Sequence, residues 1–491
     1  MSLAQKTARS AVWTVLCGLV GRAAGLLSTF VVTRYISPLH YGAVSVASVL
    51  AVSADELTRC GLYQYLVAKP SAGRSAAFHA TFFHLSFGLV ALAALVALRT
   101  PLATLMRAPL AADFVLGLAL SSAFDRVSAG PETLLHRQMR FGALGLSRAA
   151  GDVVFAALVI VLAIAGFGGY AIVYANIAQW ALLLLLFTVL THWRDWIEPH
   201  ALTRDQTRAL FAFGLPLALG HLANHASRRW DNLLFSRFFG PTVVGHYNLA
   251  YNLADMPATY LGESIGDVLL PSFARIARED RPAALLRALR LLMLLMCPLA
   301  IGLAVVAPTV IHSCFDPRWA LASPMLALLA SLSLARPVSW TVEAYLQSCD
   351  RTRAIALLQL GKVAAVFGLI ALLAPLGPLW ACAAVGPAFA LQSLGGLYVI
   401  KQLDGIPLRR LLAATLTGLP AAAVMAGAVL ALRRLVLAPA DLDNTYLGLA
   451  AEVGLGALAY PAAALLLAPQ GARELLGVLL GALRRSPPGP L

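Results

Sequence analysis

Asn248, Asn252, Asp255, Thr259 and Glu263 are spaced 4, 3, 4 and 4 residues apart, with Asp267 one turn further. A helix there carries one continuous polar face. Its acids could hold a coupling proton or sodium ion. A second face carries His221, His225, Arg228 and Asn232, with Asn224 and Arg229 beside it. A third carries Ser121, Asp125, Ser128 and Glu132, and a fourth Arg336, Trp340, Glu343 and Gln347. Asp55, Glu56 and Arg59 cluster near residue 57, and Arg22 lies between Gly21 and Gly25. Guanidinium groups bind phosphate oxygens in a bidentate fork, so arginines set among these helices, Arg22, Arg59, Arg228, Arg229 and Arg336, have the chemistry to meet an anion. Asp125, Glu132, Asn232, Asn252, Asp255, Glu263 and Glu343 are the candidate cavity-lining polar and coupling groups.

Plainer roles compete with these. Asp55 and Glu56 precede Arg59 by four and three residues, so the cluster could neutralise itself within one helix, and Arg148 could pair likewise with Asp152. His221 and His225 have the i, i+4 spacing of two metal ligands, but neither a third ligand nor a Glu-flanked motif accompanies them. Arg228 and Arg229 are adjacent, and Asp231 can serve only one of them well, which leaves a cation for an anionic ligand. The face from Asn248 to Glu263 could be a hydrogen-bonded helix seam or the wall of a hydrated cavity; its length and acids favour the cavity.

The elements that position these groups are transmembrane helices. The chain of 491 residues is 60% hydrophobic and 12% charged, with a mean hydropathy of +0.78. That is about half the charge of a soluble domain. Apolar runs long enough to cross roughly 30 Å of hydrocarbon recur throughout. They predict fourteen spans, centred near residues 22, 53, 89, 122, 153, 180, 220, 255, 296, 332, 363, 388, 420 and 456. The run after Lys6 and Arg9 is long, contains Arg22 and lacks a clear cleavage site, so it is expected to be a retained first span. With the N-terminus cytoplasmic, the cytoplasmic segments hold 22 lysines and arginines against seven on the far side. This positive-inside bias accounts for the net charge of +14 and argues against a nucleic-acid partner. Both termini then face the cytoplasm. Six cysteines show no metal-ligand spacing and are expected to pack.

One pattern occurs twice, 203 residues apart. Thr33-Arg34-Tyr35-Ile36-Ser37-Pro38 is followed by Gly42, Ala47 and Ala51; Ser236-Arg237-Phe238-Phe239-Gly240-Pro241 is followed by Gly245, Ala250 and Ala254. Each copy joins two apolar stretches. Six spans per half is an even number, so both halves insert in the same orientation and the repeat is parallel. At an offset of 211, Asp125 falls on Arg336, Ser128 on Ser339, Glu132 on Glu343 and Arg140 on Arg351. The polar face repeats, with an acid exchanged for a base at one position. The expected domains are a six-helix lobe over 1–200, a second over 201–405, spans 13 and 14 over 406–468, and a cytoplasmic tail over 469–491. The Pro-rich end, 486–490, is expected to be disordered.

No Gly-x-x-x-x-Gly-Lys-[Ser/Thr], Gly-x-Ser-x-Gly or His-Glu-x-x-His motif occurs, and the outer loops are short. A transporter is expected, not an enzyme, with no cofactor beyond the coupling proton or sodium ion.

The segment from Phe213 to Asp280 resembles the polysaccharide transporter and O-antigen flippase family, within the multidrug/oligosaccharidyl-lipid/polysaccharide exporter superfamily. The resemblance rests on Phe213-Gly214-Leu215-Pro216, Arg229-Trp230-Asp231-Asn232-Leu233-Leu234, Arg237-Phe238-Phe239-Gly240 and Gly245-x-Tyr247-Asn248-Leu249-Ala250-Tyr251. Pro257 and Leu270-Pro271-Ser272-Phe273-Ala274-Arg275 extend it, and Arg34 to Gly42 matches in the first half. It implies an all-α polytopic protein of the bacterial inner membrane. It further implies movement of undecaprenyl-pyrophosphate-linked oligosaccharide from the cytoplasmic to the periplasmic leaflet by alternating access. Membrane lipids, a polysaccharide polymerase and a chain-length regulator are the implied partners. Related lipid II flippases carry arginines on helices 1, 2 and 8; Arg22 and Arg59 fit the first two by location. Span 8 carries Asp255 and Glu263 instead, and Arg228, Arg229 and Arg336 are the candidates to replace that arginine. The alternative is a multidrug or cation antiporter of the same superfamily, which requires a cavity dominated by acids.

Overall fold

The computed structural model describes residues 18, 21, 23–69 and 73–484, without the side chains of 219, 224, 227, 258–268, 332 and 478–484. Among the described residues every element is helical. The chain divides into two compact units, Met1–Gly245 and His246–Leu491. Nine helices among the described residues are long and apolar enough to cross a membrane, and they coincide with spans 3, 5, 6 and 9 to 14. Spans 2, 4, 7 and 8 are also long helices, but their polar faces keep them below that composition. Arg22 and the start of span 1 lie outside the described residues, as do 485–491 with the Pro-rich end.

In the first unit, α1 (23–35) leads through Ile36 and Ser37 into α2 (Pro38–Thr58). The repeated motif is helix punctuation. Ser37 has extended backbone and its side chain accepts from His40 N, while Pro38 takes the first helical turn, where its missing N–H costs nothing. In the second copy Gly240, at φ 77° and ψ 175°, breaks a helix that otherwise runs over Asp231–Arg275 (α10), and Pro241 restarts it. The small residue before the proline is therefore a capping serine in one copy and a left-handed glycine in the other. The Arg and aromatic positions of both copies, Arg34, Tyr35, Arg237 and Phe238, are exposed.

The two copies also touch each other. A Cβ on Gly42 would come within 1.8 Å of the Pro241 carbonyl oxygen, and one on Gly245 within 2.1 Å of the Pro38 carbonyl oxygen. Each motif's glycine admits the other motif's proline backbone. Ala47 and Ala51 are buried beside them on α2.

After α2 the chain turns through Cys60 and Gly61, both with positive φ, into α3 (Leu62–Ala68). Then follow α4 (Arg74–Ala97), α5 (Arg99–Leu105), α6 (Ala111–Arg137), α7 (Phe141–Ile164), α8 (Tyr170–Leu190) and α9 (Arg204–Arg229). The backbone of Gly61 meets that of Gly214 on α9 so closely that a Cβ on Gly61 would lie 2.4 Å from the Gly214 carbonyl oxygen. His225 Nε2 lies 3.2 Å from Ser53 Oγ, and Trp230 Nε1 donates to the same hydroxyl at 2.9 Å. Span 7 thus packs along α2 within the first compact unit. The connection before it is fastened to α4: Arg74 donates to Asp195 at 2.9 Å, and His79 Nε2 accepts from Thr203 N at 2.8 Å.

The second unit contains the remainder of α10, α11 (Arg281–Cys314), α12 (Ala322–Leu332), α13 (Ala335–Ser348), α14 (Thr352–Leu373), α15 (Pro378–Ala383) and α16 (Val385–Asp404). It ends with α17 (Leu408–Leu416), α18 (Leu419–Leu432), α19 (Tyr446–Leu467) and α20 (Pro469–Arg484). One core joins Phe273, Leu289, Met293, Tyr345, Met425 and Tyr460, so α18 and α19 share it with α10, α11 and α13. Arg433 fastens them further. Its guanidinium donates to Glu452 at 2.6 and 3.0 Å, to the Val305 carbonyl at 2.8 Å and to Thr309 at 3.0 Å. Glu452 is fully buried. A carboxylate at that depth is tolerated because both its oxygens are met by one guanidinium. The segment 469–491 opens with α20, where Glu474 pairs with Arg287 of α11.

Candidate functional site

The charges of the first unit converge on α2 and α6. Arg59 Nε donates to Asp55 Oδ2 at 2.7 Å, one helical turn back, as its spacing predicts. Arg59 Nη2 reaches Asp125 Oδ2 on α6 at 2.8 Å, and Glu56 lies 3.4 Å from its Nε. The guanidinium side chain remains 40% exposed while surrounded by three carboxylates. Behind it sits Arg126, whose side chain is fully buried. Arg126 Nε donates to Asp55 Oδ1 at 2.6 Å, and its two terminal nitrogens donate to the carbonyls of His84 and Asp55 and to Thr58 Oγ1. Asp55 is therefore gripped from both sides, by Arg126 below and Arg59 above. Arg126 is missing from the residues the sequence singles out. It lies one position off the stripe of Ser121, Asp125, Ser128 and Glu132, and the acid beside it was its only signal.

Glu132 pairs with Arg148 on α7, with Nε at 3.0 Å. The i, i+4 pairing of Arg148 with Asp152 does not form: Asp152 accepts from Gln179 at 2.9 Å instead. A cross-helix partner was available to each group, and both took it. Arg228 and Arg229, at the end of α9, are exposed, and so is His221. Asn232 is buried and its backbone N–H donates to Asp231. Among the described residues no group of three or more His, Cys, Asp or Glu could hold a metal ion.

In the second unit Arg336, on α13, is buried and pairs with Asp255 of α10. Its guanidinium lies 4.9 Å from the centroids of both Tyr251 and Phe389. Lys362, buried on α14, places Nζ 5.1 Å from the same Phe389 ring. Two cations over one ring make a desolvated aromatic box in which cation–π attraction adds to the ion pair. Glu343 accepts from Gln359 and, at 2.8 Å, from Gln392; Asn252 donates to Asn248 at 2.8 Å. Lys362 is a second group the polar stripes did not reveal, a lone cation in an apolar span. The side chain of Glu263 and all of Arg22 lie outside the described residues.

The repeat holds at the level of contacts. Glu132 meets Arg148 and Glu343 meets Gln359, each pair 16 residues apart and the two pairs 211 apart. The principal ion pair is reversed. In the first unit the arginine is on span 2 and the aspartate on span 4; in the second the aspartate is on span 8 and the arginine on span 10. Each unit keeps its own ion pair, although the partners on the facing helix are not equivalent positions: at the offset of 203, Arg59 falls on Gly262 and Asp255 on Val52.

A family model described as polysaccharide biosynthesis protein matches residues 31–324, well over half of the chain. The chain belongs to this polysaccharide biosynthesis family. Proteins similar to it include the lipopolysaccharide biosynthesis protein WzxC of Escherichia coli (strain K12), 24% identical over 345 residues, covering 69% of each chain. The succinoglycan biosynthesis transport protein ExoT of Rhizobium meliloti (strain 1021) is 26% identical over 338 residues, covering 67% of this chain and 66% of its own. Among solved structures, the lipid II flippase MurJ in an inward closed conformation aligns with a TM-score of 0.73 at 16% identity, covering 96% of this chain and all of its own. An inward-facing multidrug resistance MATE transporter aligns at 0.64 and 15% identity, covering 81% and 99%. At those identities the structural likeness is one of fold, an all-α polytopic architecture.

Proposed function

We propose that this family member is a flippase for a lipid-linked oligosaccharide whose diphosphate is recognised by guanidinium groups within the membrane, Arg59 foremost. The observation that carries the reading is Arg59 itself: a guanidinium at the end of α2, 40% exposed and ion-paired to Asp55 and Asp125, in a polysaccharide biosynthesis protein. Sugar hydroxyls need a polar path because each one buried unpaired costs several kcal/mol, and the diphosphate needs a cation along it. Undecaprenyl diphosphate is the carrier this reading assigns, with the cytoplasmic leaflet of the bacterial inner membrane as the starting side and both termini cytoplasmic. Moving about two negative charges outward down an inside-negative potential of ~100 mV is favoured by ~4–5 kcal/mol. ATP is then unnecessary. A polymerase and a chain-length regulator would receive the product.

The test is complementation of a deletion strain. Arg59→Ala should lower surface polysaccharide at least tenfold at matched membrane abundance, with Arg59→Lys intermediate because it keeps charge and loses the fork. Arg228→Ala and Arg229→Ala should each lower export several-fold; unchanged yield for both would remove the end of α9 from the substrate path. Normal polymer from the deletion strain, with no second transporter of this kind in the cell, would sink the reading.

One observation favours the antiporter alternative: three carboxylates surround Arg59. That reading expects drug sensitivity on deletion with polymer intact, the opposite pair of outcomes.

A further inference from the structure

The acids of the first cluster outnumber its bases. Asp55, Glu56, Asp125 and Glu132 face Arg59, Arg126 and Arg148. The shares are unequal. Asp55 is bonded by two guanidinium groups, Arg59 and Arg126, and Glu132 has Arg148 to itself. Asp125 is bonded by Arg59 alone, through one nitrogen to one oxygen, and its side chain is only 17% exposed. An anionic diphosphate added to this cluster would raise the surplus of negative charge further.

We propose that Asp125 is a proton-binding site linked to the anion site on Arg59. When a diphosphate takes the exposed edge of Arg59, Asp125 loses its bonded cation and binds a proton; when the anion leaves, Arg59 returns and the proton is released. Asp55 does not titrate with it, because Arg126 keeps hold of the opposite carboxylate oxygen. The charged and titratable groups around Asp125 are Asp55, Glu56 and Arg59 from α2, and Arg126 and Glu132 from its own helix. Tyr63 of α3 and His84 of α4 stand beyond Arg126, with their rings 4.7 Å apart. On α8, the uncharged Asn176 is bonded to Ser121 and Gln179 to Asp152. No other cation on these elements bonds Asp125 among the described residues. A carboxylate left without a partner at this depth is stabilised by protonation.

The inference rests on Arg59 as the diphosphate site. It is tested on the full chain in nanodiscs by calorimetric titration with inorganic pyrophosphate in two buffers of different ionisation enthalpy, which gives the protons taken up per ligand. Wild type should take up one proton more per pyrophosphate than Asp125→Asn, whose binding also loses the corresponding pH dependence. In wild type alone, infrared difference spectra should gain a protonated-carboxyl band on adding pyrophosphate, a readout independent of how well the variant folds. Pyrophosphate bound by way of Arg59 with equal proton counts in the two proteins, or with no new carboxyl band, overturns the proton site and leaves the anion site standing. Wild type that does not bind pyrophosphate, or binds it as well after Arg59→Ala, overturns both.

Discussion

Replacing Arg126 with methionine is expected to lower stability by about 3–5 kcal/mol, the largest loss from any single charge in the first unit. Methionine fills the space of the arginine stem, so the cost is electrostatic. Removing the guanidinium leaves Asp55 Oδ1, Thr58 Oγ1 and the carbonyls of His84 and Asp55 without their donor, all in a region where Arg126 itself is fully buried. Arg126→Lys should recover only part of the loss, because an ammonium cannot span donors held by Nε and both terminal nitrogens. Apparent melting temperature in detergent and the yield of monodisperse protein measure the effect. A melting temperature unchanged by Arg126→Met would show that Asp55 finds its support elsewhere. Arg59→Ala provides the contrast: it removes a partly exposed cation and should affect transport more than folding.

The second large effect is expected at the paired glycines. Gly42→Ala and Gly245→Ala should each destabilise by about 3 kcal/mol, since the new methyl would overlap a backbone carbonyl and not a side chain that can turn away. Gly361→Ala is the control. Nothing lies within 4 Å of a Cβ there, so on α14 it should raise stability by about 0.5–1 kcal/mol. Melting temperatures falling at residues 42 and 245 and rising at 361 would confirm that the collision, and not helix propensity, decides. Equal small shifts at all three would refute the close approach.

Much of this architecture was legible in the sequence because transmembrane helices announce themselves by composition, and a charge within one announces a function or a partner. The Asp55–Arg59 pair was readable from its four-residue spacing, since both groups stand on one helix. The Arg148–Asp152 pair had the same spacing and did not form. Local geometry permits such a pair but cannot reveal Glu132, 16 residues away across a helix interface. Arg126 was hidden for the same reason: its acid partner is 71 residues distant. The boundary between halves was also a matter of tertiary contact. The repeat begins its second copy after residue 200, whereas the packing of α9 along α2 places that helix in the first compact unit. Lys362 and Arg336 show the remaining gap, since cation–π partners such as Phe389 look like ordinary apolar residues in a sequence.

The contact between Gly42 with Pro241 and Gly245 with Pro38 has the geometry of a twofold homodimer interface, in which one surface is complementary to its own copy. Here a single chain supplies both copies. A bulkier residue at either glycine strikes the opposite copy's backbone, and no side-chain change over there can make room. Neither copy is therefore at liberty to drift alone. This mutual constraint accounts for the proline and glycine that recur 203 positions apart, whereas the charged position at Asp125 and Arg336, under no such reciprocity, has exchanged acid for base. The proline–glycine part of the repeat is thus held in place by steric self-recognition.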